Sequence, residues 1–261
     1  MVPAIYPNNL DNQDTLTRAS NIIAMGKTRD KRALAPLIKI LEDESEVDWL
    51  RGCAAIALGR LSAEEAVPLL INAIDDASMT VARGSISALG DIRCKYAIPH
   101  LKRILEDETK KELHAITVTA LGEIAGRDVI SILLGSLENP DNRVRARAAI
   151  VLGDLRAGEA VIPFIQLMKD SDECLRAIAA SSLGLIGDRR ATGTLIEALG
   201  DSAESVRAIA ASSLGCLGDA IAVNSLEAAT GDTSETVRKQ AAAAISKIRS
   251  IERMEKTRIH R

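Results

Sequence analysis

The sequence predicts an all-α protein, a right-handed α-solenoid of stacked antiparallel helix pairs. Three observations lead there: a tandem repeat of about 31 residues, helical spacing inside each repeat, and a near absence of aromatic residues. The 261-residue chain holds one Trp, two Tyr and one Phe, although 47% of it is apolar. Sandwiches and barrels lean on aromatic and β-branched side chains, whereas this chain leans on Ala, Leu, Ile and Ser. The apolar fraction supports a sizeable core and excludes global disorder.

The repeat is fixed by a small residue that follows an apolar one at Gly26, Gly59, Gly90, Gly122, Gly153, Gly184, Gly215 and Ser246. Successive spacings are 33, 31, 32, 31, 31, 31 and 31. Eight residues before these marks stand Arg18, Arg51, Ala82, His114, Arg145, Arg176, Arg207 and Arg238. Seventeen residues after them stand Asp43, Asp76, Asp107, Asn139, Asp170, Asp201 and Asp232. The nonapeptide RAIAASSLG occurs twice, at 176–184 and 207–215. A register held at three positions over seven intervals is a tandem array.

The elements follow in order. Residues 1–11 form an irregular N-terminal segment, 12–248 the repeats, and 249–261 a basic C-terminal helix extension or tail. In each repeat the segment before the mark, such as SVRAIAASSLG, has apolar spacing of three and four and strong helix formers. The mark reads as a C-terminal glycine stop. A short loop leads to a second helical segment that carries Pro36, Pro68, Pro99 or Pro163 early, where a missing N–H costs least. The count is eight helices ending at a mark and seven between them. Asp43/Glu46, Asp170/Glu173, Asp201/Glu204 and Asp232/Glu235 share D-x-x-E spacing and read as N-caps with a capping box. The Arg column then bridges to those Asp residues as a ladder between layers.

These residues resemble the HEAT-like repeat of the phycobilisome-lyase type, whose pattern runs close to VRxAAAxALGxIGDxxAIPxLIxxLxD. The match covers nearly the whole chain and is clearest at 144–170, 206–232 and 91–107. The resemblance implies a HEAT/armadillo-like superhelix whose Arg-bearing helices line the concave side. One helix pair cannot bury its own apolar stripe, and stacking makes the core continuous.

Composition narrows the function. A net charge of −3 and a pI near 5.8 oppose general nucleic-acid binding, which needs a basic footprint. The longest stretches free of Asp, Glu, Lys and Arg are 11 residues, at 177–187 and 208–218, so no membrane span of ~20 residues is present. Cysteines 53, 94, 174 and 216 show no metal spacing, and the N-terminus lacks a signal-peptide pattern, which points to a cytoplasmic protein with reduced thiols. No His-Glu dipeptide, catalytic triad, P-loop or dinucleotide fingerprint occurs. The residues therefore specify no catalytic group, no cofactor and no metal. The basic C-terminus, with six Lys or Arg from 247 onward, reads as a cap on the last repeat; contact with nucleic acid is the least favoured alternative.

If the Val or Leu before each Arg column points inward, the opposite face of these helices forms an outward stripe. It comprises Trp49, Cys53, Ile56, Met79, Arg83, Ser87, Lys111, Ile116, Thr119, Arg143, Arg147, Ile150, Cys174, Ile178, Ser181, Ile209 and Ser212. A solvated face would be rich in Glu and Lys; this one carries isoleucines among Ser and Cys, which marks either an interaction surface or packing between layers. The expected function is a non-enzymatic scaffold holding another protein or a peptide segment in its groove, with Trp49 as anchor. The alternative implied by the resemblance is a bilin lyase or tetrapyrrole carrier, with Arg83, Arg143 or Arg147 pairing the propionates.

Overall fold

The computed structural model describes residues 14–28 and 30–259, with side chains through 254, so the expected irregular segment 1–11 lies outside the described residues. Among the described residues there are fifteen α-helices, short 3-10 turns and no strand. The chain divides into two compact units, 1–132 and 133–261. The first holds α1 (Thr15–Thr28), α2 (Leu34–Glu42), α3 (Asp48–Arg60), α4 (Val67–Ala73), α5 (Met79–Asp91), α6 (Ile98–Glu106) and α7 (Lys111–Ile124). Helix α8 (Arg127–Ser136) contains the division. The second unit holds α9 (Asn142–Asp154), α10 (Val161–Leu167), α11 (Glu173–Ile186), α12 (Thr192–Glu197), α13 (Glu204–Leu217), α14 (Val223–Ala229) and α15 (Glu235–Ile259).

Within each unit the longer, mark-bearing helices pack side by side, α1–α3–α5–α7 and α9–α11–α13–α15, and each shorter helix packs against the long helix that follows it. The core is small and aliphatic: Leu50, Ala54, Ala55, Ala57 and Leu58 of α3 are fully buried, and so is the lone Phe164 in α10. Aromatic residues are scarce because the long helices approach too closely to admit them.

That approach corrects the reading of the marks. Gly59, Gly90, Gly153, Gly184 and Gly215 lie inside the last turn of their helices, not past the end. A Cβ on Gly59 would fall 2.5 Å from Ala88 Cα, and one on Gly26 2.7 Å from Ala57 Cα. A Cβ on Gly184 would meet Ser213 Oγ at 2.6 Å. The glycine is there so that one backbone can touch the next helix. The chain reversal comes three residues later, where Gly187 (φ 77°) and Gly218 (φ 67°) are left-handed C-caps. The same place in other repeats is held by Ser62, Arg93, Ala125 and Arg156, all with φ of 50–57°.

After the reversal, six repeats insert a one-turn 3-10 segment ending in a buried alanine: Ala33, Ala66, Ala97, Ala160, Ala191 and Ala222. The following helix starts at once, with Pro68 and Pro99 in its first two positions and Pro163 third, as the sequence indicates.

The Asp column is corrected as well. Asp76, Asp170, Asp201 and Asp232 each accept the backbone N–H two residues on at 2.7–2.8 Å. They form Asx turns in the loop and precede the true caps, such as Asp172, which accepts the N–H of Cys174. The loop needs two residues to swing into the helix, so D-x-x-E does not close a capping box; Glu46 instead pairs with Arg18. The ladder itself forms. Arg207 donates twice to Asp232, at 2.8 and 3.0 Å, and backward to the carbonyl of Asp201 at 2.9 Å. Arg51–Asp76, Arg145–Asp170 and Arg176–Asp201 repeat the rung. At the two exceptions, Ala82 offers no guanidinium, and the His114 ring lies 3.1 Å from the Asp107 carbonyl.

The C-terminal extension is helical through residue 259, continuous with α15. Ile248 is buried, Ile251 lies over Gly218, and Arg249 pairs with Glu227 at 2.7 Å. The described part therefore packs on its own repeat.

Candidate binding face

The long helices present one lengthwise stripe to solvent, because their other sides are occupied by neighbouring long helices and by the short layer. In the first unit Trp49 (42% exposed), Met79, Arg83 and Lys111 stand out from this stripe, and Ile56, Ser87, Ile116 and Thr119 are half-buried. Cys53 is a correction. It is buried at 7% exposure because Gly52 beside it lets α5 come within contact of α3 at Thr80, and that burial pushes its thiol above the usual range. In the second unit Arg143, Arg147, Ile150, Cys174, Ser181 and Ser212 are exposed, with Ile178 and Ile209 half-buried.

Two functional candidates on the same stripe were not singled out by sequence. Leu185 is 43% exposed, one residue after its mark, in register with Arg60 and Cys216. The other is a carboxylate pair at that register, Asp91 and Glu123. Burial raises the Asp91 carboxyl, opposed by Arg60. Burial and then the charge of Asp91 raise Glu123, opposed by Arg93. The signal was present as a column one residue past the mark, but its residue type changes from repeat to repeat.

The stripe's cations differ in availability. Arg143 is held by the carboxylate of Asp141, with Nη2 at 2.7 Å, and Lys111 pairs with Glu108 at 2.9 Å. Arg83 and Arg147 make no ion pair among the described residues. A separate cleft of about 630 Å³ lies at the interhelix loops, lined by Glu42, Glu44, Asp48, Arg51, Asp75 and Asp76. Its guanidinium is already committed to Asp76, so what remains is acidic and unsuited to an anion. Among the described residues no three His, Cys, Asp or Glu side chains gather in a way that could hold a metal, and no helix is long and apolar enough to cross a membrane.

The family profile described as HEAT repeats matches residues 8–90, 46–117, 98–173 and 163–247. The chain belongs to the HEAT-repeat family. Its repeats resemble those of a phycocyanobilin lyase subunit. Phycocyanobilin lyase subunit alpha of Nostoc sp. (strain PCC 7120) is 29% identical to this HEAT-repeat protein over 167 residues, which make up 57% of this chain. The match spans 60% of the length of that relative. Among solved structures, the complex of CpcE and CpcF of phycocyanin lyase from the same organism superimposes with a TM-score of 0.52 at 26% identity, covering 92% of each chain. YibA of E. coli superimposes with a TM-score of 0.68 at 20% identity, over 92% of this chain and 89% of that one; that likeness shows the fold alone.

Proposed function

We propose that this HEAT-repeat protein is a non-catalytic scaffold that binds a protein partner on the outward stripe of its long helices. The supporting observation is the chemistry of that stripe: Trp49, Met79, Ile150 and Leu185 are exposed where a purely solvated face would carry Glu and Lys. Exposed aromatic and aliphatic side chains on a rigid helical frame lose little entropy when a partner covers them. The partner class we infer is a second subunit, since the similar Nostoc structure is a complex of two proteins.

The likeness to a phycocyanobilin lyase subunit favours one finer reading: that the assembly handles a tetrapyrrole. In that reading Arg83 or Arg147, neither with an internal ion pair, would meet a propionate, and Arg143, held by Asp141, would contribute less.

Co-purification with a lyase-type partner chain from the source organism tests the scaffold. Wild type should retain it, and Ile116→Asp with Ile178→Asp, if folded by circular dichroism, should not. Equal retention by both would remove the stripe as the site. Incubation with phycocyanobilin tests the finer reading: a visible absorption band that migrates with the wild type and weakens in Arg83→Ala with Arg147→Ala supports it. A band absent from wild type refutes it.

A further inference from the structure

The two charge-free stretches of the sequence lie on adjacent helices, α11 and α13, which pack on one another. Their outward residues are Ile178, Ser181 and Leu185 on one, and Ile209, Ser212 and Cys216 on the other, all exposed or half-buried. The guanidinium groups of Arg176 and Arg207 are not part of this surface, because both are tied into the loop ladder. The result is a strip two helices wide without a charge, in a protein that is 26% charged.

The strip is bounded on both sides by cations. On α9, which packs against α11, Arg147 stands 31 residues before Ile178 and so shares its row. On α15, which packs against α13, Lys247 stands 31 residues after Cys216 and leans over it, its Nζ 3.4 Å from the Sγ. Neither makes an ion pair among the described residues. With neighbouring helices ~8–10 Å apart, three spacings separate the two cations by roughly 25–30 Å, the length of a helix of about 18–20 residues. Asp154 on α9 shares the row of Lys247, which sets the diagonal: a carboxylate is welcome beside Arg147 and repelled two rows further.

We propose that this strip docks an amphipathic helix of a partner protein, its apolar face across Ile178, Leu185 and Ile209 and its acidic ends on Arg147 and Lys247. The inference rests on the scaffold reading and gives it a partner chemistry. Burying the isoleucines supplies affinity, and the two cations select and orient the helix.

The probe is a fluorescent 20-residue helical peptide with a Leu stripe and Glu at both ends, compared with its twin carrying Lys at both ends. Wild type should prefer the Glu peptide by at least about tenfold, a preference that shrinks with added salt. Arg147→Glu with Lys247→Glu should reverse the preference, which a folding defect cannot do. Ile178→Asp with Ile209→Asp should abolish both interactions. Equal affinity for the two peptides, no reversal in the charge-swapped variant, or no binding of the Glu peptide overturns the proposal. So does tighter binding to phosphatidylglycerol vesicles, or self-association that buries the strip. If the peptide fails while the stripe variant Ile116→Asp with Ile178→Asp still loses the copurifying partner, the scaffold reading survives and this assignment does not.

Discussion

Single residues set the spacing of this array, and two kinds of glycine show it with opposite consequences. Alanine is the better helix former by ~1 kcal/mol, so Gly193→Ala in α12, with nothing within 4 Å of the new methyl, should raise stability by up to that amount. Gly59→Ala should do the reverse, because its Cβ would fall 2.5 Å from the Ala88 backbone and overpacking typically costs ~1–3 kcal/mol. Chemical denaturation of the two variants reads the signs directly. At the turn positions the logic inverts again. Arg156 and Ser62 hold left-handed conformations, φ 50° and 54°, that cost an L-residue ~1–2 kcal/mol. Arg156→Gly and Ser62→Gly should therefore stabilise by about 1 kcal/mol, measured as a rise in melting temperature.

The marks were legible as a period but not as a mechanism. A glycine following an apolar residue near a helix end fits a C-cap and a close helix contact equally well. The discriminating signal is a second glycine three residues on, and only Gly187 and Gly218 supply it. Cys53 was misplaced for a related reason. Helical periodicity puts it on the outward stripe, and only the approach of α5 at Gly52 covers it.

At the scale of elements, the Arg–Asp rungs tie α3, α9, α11 and α13 to the loops before and after them, and they make stability depend on pH. The Arg207 guanidinium, then the Ser234 N–H, hold the Asp232 carboxyl at about 2, below its ordinary 3.8. Asp201 is lowered by Arg176 in the same way. A lowered carboxyl contributes stability above its unfolded value and loses it as the pH falls from near 4 toward 2. Asp232→Asn should therefore melt at a lower temperature than wild type at neutral pH, with the gap closing as acid is added. Asp91 and Glu123 have the opposite sign. Their raised carboxyls favour the protonated fold, so stability falls as the pH rises through the values they hold in the fold. Glu123→Gln should stabilise at neutral pH and make no difference at pH 3, a crossing that thermal melts at the two pH values would show.

The ladder's partners, unlike its geometry, were readable from sequence, since guanidinium and carboxylate recur at fixed separation. The Asx turn was not, because D-x-x-E satisfies the capping-box rule without showing where the helix begins. The candidate face was readable only as a periodicity. Trp49 and Ile150 are exposed while Ile178 and Ile209 are half-buried, a gradation set by the packing of adjacent helices that periodicity does not carry, and Leu185 needed the packed layer to be seen at all.

For the molecule as a whole, each unit has its own core and its own row of long helices. In arrays whose repeats touch only neighbours, destabilisation stays local. Gly59→Ala should accelerate hydrogen exchange in α3 and α5 and leave α11 and α13 at their wild-type protection; a uniform loss of protection across both units would contradict this. The outward chemistry differs between the units in the same way. The first presents Trp49, Met79 and mixed charge, and the second a charge-free strip.

The rung missing at Ala82 has a mechanical meaning. From α3, α9, α11 and α13 a guanidinium clips one interhelix loop to its successor, so bending the row there strains ionic hydrogen bonds as well as side-chain packing. Between α5 and α7 the guanidinium is absent and Asp107 is satisfied within its own loop by the N–H and hydroxyl of Thr109, so the joint is held instead by Lys110 and Arg103, both paired with the exposed Asp75. Exposed pairs are weaker and screened by salt, so, pulled from its two ends in high salt, the first unit should extend at this joint before any other. Placing an arginine there, Ala82→Arg, should raise the force of the first yielding step in an optical trap and convert a compliant spring into a uniform one.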